Sequence, residues 1–136
     1  MSMGNTTEND LMKLFFNADA LSWNANTDLY VSLHTADPGE GGNQTTSECA
    51  YGSYARVTVA RSSSGFTVSG NSVQNTALIQ FPQCTSGSET ATYFAIGTAT
   101  SGAGQIIVSG ALSASLAISS GIQPQFAAGA LTGTAD

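Results

Sequence analysis

Two hydrophobic periods divide the chain. Near the N-terminus, Leu11, Met12, Leu14, Phe15 and Phe16 form one broad apolar stripe at helical spacing, which ends near Asn17. Thr7 is placed to act as an N-cap, with Asp10 three positions on and Glu8 in the first turn. Such a stripe either packs on the core, the commoner arrangement, or serves as an arm that docks on a neighbour. Asn24 to Asp28 reads as a turn.

From Leu29 onward the period falls to two. Leu29, Val31 and Leu33 alternate with Tyr30, Ser32 and His34 until Asp37-Pro38-Gly39-Glu40-Gly41-Gly42 breaks the strand. Ala55, Val57 and Val59 repeat the pattern, and Phe66 and Val68 form a short strand. Ser69-Gly70-Asn71-Ser72 suits a tight hairpin, because Gly and Asn accept positive φ. Ala77, Ile79 and Phe81 continue to Pro82, and Thr85 to Thr90 reads as a polar loop. Phe94 and Ile96, Ile106 and Val108, and the strict run Leu112, Ala114, Leu116 and Ile118 follow, with Phe126 on a last short strand. About eight short strands with turns at regular spacing, and no helix between them, predict an all-β antiparallel sandwich or barrel with one short N-terminal helix. The expected organisation is one domain: residues 1–28 a helix and arm, 29–128 the sandwich, and 129–136 a loose Ala/Gly/Thr tail.

Composition changes the picture of the surface. Hydrophobic residues make up an ordinary 41%, but only 9% are charged, far below the roughly 25% of soluble domains. Burying an ionised side chain against a partner is costly unless it is paired, whereas Ser, Thr and Ala are covered cheaply and lose little rotamer entropy. The depletion runs along the whole chain, so the expected role is packing against other protein subunits. Lys13, Arg56 and Arg61 are the only basic residues and the net charge is −6. That balance argues against nucleic-acid partners and anionic membrane surfaces. No signal segment and no apolar run near the roughly 20 residues of a bilayer span is visible, which predicts use without export. Cys49 and Cys84 are then expected as free, half-buried thiols.

Candidate chemistry is sparse. His34 is the only histidine, and no Gly-x-Ser-x-Gly motif accompanies it. It is expected at a strand end, facing solvent or a neighbour. One His and two distant Cys match no zinc spacing, and Asp37 with Glu40 lacks the alternation of a calcium loop. The expectation is no enzyme activity, no cofactor and no metal. Among the aromatics, Trp23, Tyr30, Tyr51, Tyr54 and Tyr93 divide between core and contact platform, with most assigned to the core. Tyr51 and Tyr54 flank a glycine and are expected to be the most exposed.

One stretch carries a family resemblance. Leu29-Tyr30-Val31-Ser32-Leu33-His34-Thr35-Ala36-Asp37-Pro38-Gly39 is followed by a Gly-rich loop and Tyr51-Gly52-Ser53-Tyr54-Ala55-Arg56-Val57. Later come Ile79-Gln80-Phe81-Pro82 and Ala91-Thr92-Tyr93-Phe94-Ala95-Ile96-Gly97. Over residues 29–115 this order resembles small structural proteins of tailed phages, often labelled tail-fibre proteins. Within them it most resembles the cement subunits that decorate a Bordetella-type phage head. The resemblance implies a sandwich of jelly-roll type on the outer surface of the capsid, made in the host cytoplasm. It implies that the sandwich bridges major capsid protein subunits and self-associates as a homodimer or homotrimer. Leu11, Leu14, Phe15, Phe16, Trp23, Tyr51 and Tyr54 are the expected subunit contacts. The alternative is a tail-fibre or receptor-binding tip that meets a host glycan through exposed aromatics and the Pro38–Thr46 loop.

Overall fold

A computed structural model describes residues 1–135. In chain order the elements are β1 (Ser2–Met3), α1 (Asn5–Asn17), β2 (Asp28–His34), β3 (Val57–Ala60), β4 (Phe66–Ser69), β5 (Ser72–Asn75), β6 (Ile79–Gln80), β7 (Glu89–Gly97), β8 (Ile106–Ile118), β9 (Gln125–Phe126) and β10 (Thr132–Thr134). The fold is an all-β antiparallel sandwich with one short helix. The large sheet runs β1-β8-β7-β2-β3, the small sheet runs β10-β5-β4, and β6 pairs with β9 as a two-stranded ribbon.

The alternation in β2 and β7 decides how the layers stack. Val31 pairs with Ile96 and Leu33 with Phe94, so these four side chains share one face. That face meets Ile79, Phe81, Ile118 and Leu131 in a single apolar core. Phe81 has no solvent exposure, and its edge-to-face contact with Phe126 continues to Phe94. Truncating such a ring to Ala costs about 3–5 kcal/mol, because the cavity it leaves does not fully collapse.

The other face of β2 is also covered, which the alternation did not suggest. Ser32 and His34 are fully buried. The Gly-rich stretch after β2 folds back over them. Gln44 is buried against Gly97, where any Cβ would collide with the Gln44 side chain. The Gln44 amide oxygen accepts from the Ala99 N–H at 2.9 Å, and the Gln44 backbone N–H donates to the Ala103 carbonyl at 2.7 Å. Two loops, 35–48 and 98–105, thus form a polar lid over the sheet.

Several local expectations are corrected. The helix begins at Asn5, with Gly4 as its N-cap and no side-chain cap. Thr7 lies one turn inside and is buried, donating instead to the Ile106 carbonyl at 2.9 Å. Glycine is required at position 4 because a Cβ would stand 2.5 Å from that same carbonyl. Ala55 precedes β3, and the strand predicted over Ala77–Phe81 shrinks to Ile79–Gln80. β7 extends back through Glu89 into the predicted polar loop, with Glu89 opposite Ile118. The Gly70 hairpin forms as expected, with φ of 60° at Gly70 and Ser69 opposite Ser72. The stretch predicted as a loose tail forms β10, which pairs with β5, and it buries Leu131. Buried Asn75 ties it down: the side-chain amide donates to the carbonyls of Ala77 and Ala127, and the Leu131 N–H donates to its carbonyl oxygen, each at 2.9 Å.

Candidate interaction surface

The root of α1 is pinned to the sandwich. The Gly4 N–H donates to the Ile107 carbonyl at 3.1 Å and the Asn5 N–H to the Glu40 carbonyl at 2.9 Å. The Gln105 amide reaches Thr7 Oγ1 and Asp10 Oδ2 at 2.8 and 3.0 Å. Beyond Asp10 this anchoring ends. Leu11 is half-buried, and every residue from Met12 to Ala20 is exposed. The helix closes at Ala18, a left-handed residue with φ of 58° whose N–H caps the Lys13 carbonyl.

The exposed end is apolar. Met12 is 57% exposed, Phe15 68% and Phe16 76%, with Leu14 exposed beside them. Leu11 with Phe15 and Met12 with Phe16 are i, i+4 neighbours, so these side chains make one continuous face. Leu11, Leu14, Phe15 and Phe16, expected together as subunit contacts, all lie on this helix. The pattern left open whether the stripe packs inward. In the fold it does not: the sandwich closes without it.

The other named residues lie elsewhere. Trp23 is half-buried under Arg61, whose guanidinium carbon stands 4.8 Å above the ring. Arg61 also bonds the Asn24 and Asn26 carbonyls at 2.9 and 3.2 Å, so this pair fastens the connection after α1 to the start of β2. Tyr51 and Tyr54, expected to be the most exposed, belong to the core. Tyr51 is buried and Tyr54 packs against that core, stacked 6.3 Å from Phe81. The Tyr51 hydroxyl donates to the Pro82 carbonyl at 2.7 Å, and burial pushes its pKa up to about 12. Tyr54 donates to Glu48 Oε2 at 2.8 Å and accepts from the Leu33 N–H at 3.1 Å. Burial raises its pKa as well. An aromatic platform at Tyr51 and Tyr54 therefore does not exist, and the Pro38–Thr46 loop is the lid over β2.

Beside these tyrosines, Arg56 forks onto Glu48, Nε to Oε2 at 2.7 Å and Nη2 to Oε1 at 2.9 Å. Its remaining donors reach the carbonyls of Ala99 and Gly102 at 2.9 and 2.7 Å, so one side chain joins both lid loops.

His34, expected to face solvent or a neighbour, faces neither. Nδ1 lies 2.8 Å from the Thr46 carbonyl and Nε2 2.8 Å from Ser32 Oγ. The carbonyl requires a proton on Nδ1, so the Ser32 hydroxyl donates to Nε2. Burial lowers the His34 pKa, against the opposing pull of the Thr46 carbonyl. This serine–histidine pair has no opening to a substrate, and its chemistry is to hold the lid on the sheet. The signal for it was the Gly-rich loop directly after β2, which is free to fold back over a polar face. Cys49 and Cys84 are buried free thiols. Burial, with Glu89 nearby, pushes the Cys49 pKa up to about 12.

A second surface, of apolar and small polar side chains, lies along β8. A cleft of about 600 Å³ opens between the second half of that strand and the β9–β10 segment. Leu112, Ala114, Leu116, Phe126 and Leu131 line it, with Met1 at its side and no charged side chain among the described residues around it.

No curated protein matches this sequence. A family model described as "Podophage GP4 fiber I protein gp80" matches residues 2–134, from β1 through β10. With nearly the whole sandwich and its helix inside that match, the chain belongs to the podophage GP4 fiber I protein gp80 family, and it is a phage structural protein and a virion component.

Proposed function

We propose that this chain is a fibre-type subunit of the virion, built into the particle through the apolar face of α1. The observation that carries the reading is the exposed Met12–Phe15–Phe16 face on a helix whose root is fixed to the sheet. Covering one large apolar side chain yields about 1.5–3 kcal/mol, and a patch of this kind on a soluble domain marks a contact site. The charge-poor skin lets a neighbour cover the surrounding surface at low desolvation cost. The family name supports a fibre location.

The test is incorporation. Phage carrying Phe15→Ser with Phe16→Ser should yield particles depleted of this chain, while the isolated variant folds and melts as the wild type does. Particles with the full complement of the doubly substituted chain would overturn the reading. A second reading, a cement subunit on the outer capsid surface that bridges major capsid protein subunits, draws on the resemblance over residues 29–115. Copy number separates the two: a cement subunit approaches the coat protein in abundance, and a fibre subunit stays far below it.

A further inference from the structure

We propose that the occupant of the β8 cleft is helix α1 of a second copy of this chain, exchanged reciprocally between two protomers. This rests on the reading of α1 as the docking element and names its partner. Val68, Leu78 and Ile122 are exposed singly, but the larger uncovered surfaces are the helix end, which projects, and the cleft, which is recessed. They do not meet within a protomer, because the helix is anchored at the Ile106 end of β8 while the cleft follows Gly110 to Leu116. They match in chemistry. The helix face presents Met12, Phe15 and Phe16, and the cleft presents Leu112, Ala114, Leu116 and Phe126 among Ser113, Ser115, Gln125 and Thr132, with no charged side chain that would be stranded on burial.

Area selects the symmetry. A Phe side chain buries about 200 Å². Scaled by the exposures of Met12, Leu14, Phe15 and Phe16, the helix end offers roughly 450 Å² to a partner. One insertion, limited on the cleft side to what its walls expose, then covers roughly 600 Å², well short of the roughly 1,200 Å² at which stable interfaces begin. Two insertions in a reciprocal pair cover roughly 1,200 Å², which reaches that threshold. A ring with one insertion per contact does not reach it. A two-fold pair uses the helix end and the cleft once per chain.

The experiment uses the purified, untagged full chain. Sedimentation or light scattering should give twice the chain mass for the wild type. Phe15→Ser with Phe16→Ser should give the single mass, and so should Ala114→Trp, which fills the cleft from an exposed position, both with unchanged circular dichroism. Mixing a Phe16→Cys chain with an Ala114→Cys chain under mild oxidation should yield a cross-linked heterodimer, since Cys49 and Cys84 are buried. A wild type that stays monomeric at every concentration overturns the exchange, as does a dimer that survives both substitutions. If the wild type is monomeric but Phe15→Ser with Phe16→Ser still depletes the virion, the exchange falls and the docking role of α1 stands. If neither mass nor incorporation responds, both fall.

Discussion

Replacing Arg56 with methionine tests whether the polar lid is held by one buried ion pair. The Arg56 side chain is 3% exposed and that of Glu48 14%, so water replaces little of what the substitution removes. The thioether chain would fill much of the volume but leave the Glu48 carboxylate with Tyr54 as its only side-chain donor, and the Ala99 and Gly102 carbonyls without partners. Breaking a buried pair from one side costs about 3–5 kcal/mol, a large part of the roughly 5–15 kcal/mol that holds an ordinary domain together. For a chain of this length that is a fall in Tm of about 10–20 °C. Urea unfolding followed by Trp23 fluorescence and far-UV circular dichroism measures it. Glu48→Gln in the Arg56→Met background should recover part of the loss, because the uncompensated charge is gone. The loss should be nearly the same in low and high salt, since a buried pair is weakly screened. A cost below about 1 kcal/mol, the worth of a surface pair, or a double variant no better than the sum of the singles, would refute the reasoning.

Three further outcomes follow from buried groups. His34 is held neutral and its pKa is lowered in the folded state. Its stabilising contribution is therefore fully present above the unfolded value near 6.5 and is lost as pH falls below it, at up to about 1.4 kcal/mol per pH unit; His34→Gln should flatten the fall in unfolding free energy between about pH 7 and 5, and an unchanged slope would refute this. Asn75→Leu should cost about 2–4 kcal/mol by orphaning the Leu131 N–H and two carbonyls, with faster hydrogen exchange across residues 127–135; equal exchange rates in both proteins would sink it. With its pKa pushed up to about 12, Cys49 should resist thiol reagents in the folded protein at pH 8 and react on unfolding, so rapid labelling of the native chain would contradict the burial described.

Much of the sandwich was readable because burial on one face writes a period of two into the chain. Val31 and Leu33, Phe94 and Ile96, and Leu112, Leu116 and Ile118 all land on the face their alternation demands, while Ala114, in the irregular stretch of β8, stays exposed. What misled was the assumption that the opposite face meets water. Ser32 and His34 look solvent-facing by pattern, yet a loop long enough to fold back covers them and supplies partners from its own backbone, which no periodicity records. Tyr51 and Tyr54 failed for a related reason. They lie in an irregular segment, where position in a strand cannot say which way a ring points, and their hydroxyls found Pro82 and Glu48 through tertiary packing alone. The tail was missed because Thr132–Thr134 has little apolar content of its own and is kept in place by Asn75, a residue far away in sequence. The helix was the reverse case. Its stripe was plain, but whether the stripe belonged to this core depended on whether the sandwich closes without it.

Met1 and Gly133 are in contact, so closely that a methyl on the glycine would strike the methionine sulfur, and β1 and β10 each form the rim of their sheet. Residues 1 and 133 therefore lie at one spot. A short linker would close the backbone into a circle, to be reopened at the Gly70–Asn71 turn, and the whole module is insertable into a loop of another polypeptide without stretching either side. An affinity tag fused ahead of Met1 would sit beside the mouth of the cleft that Met1 helps to line.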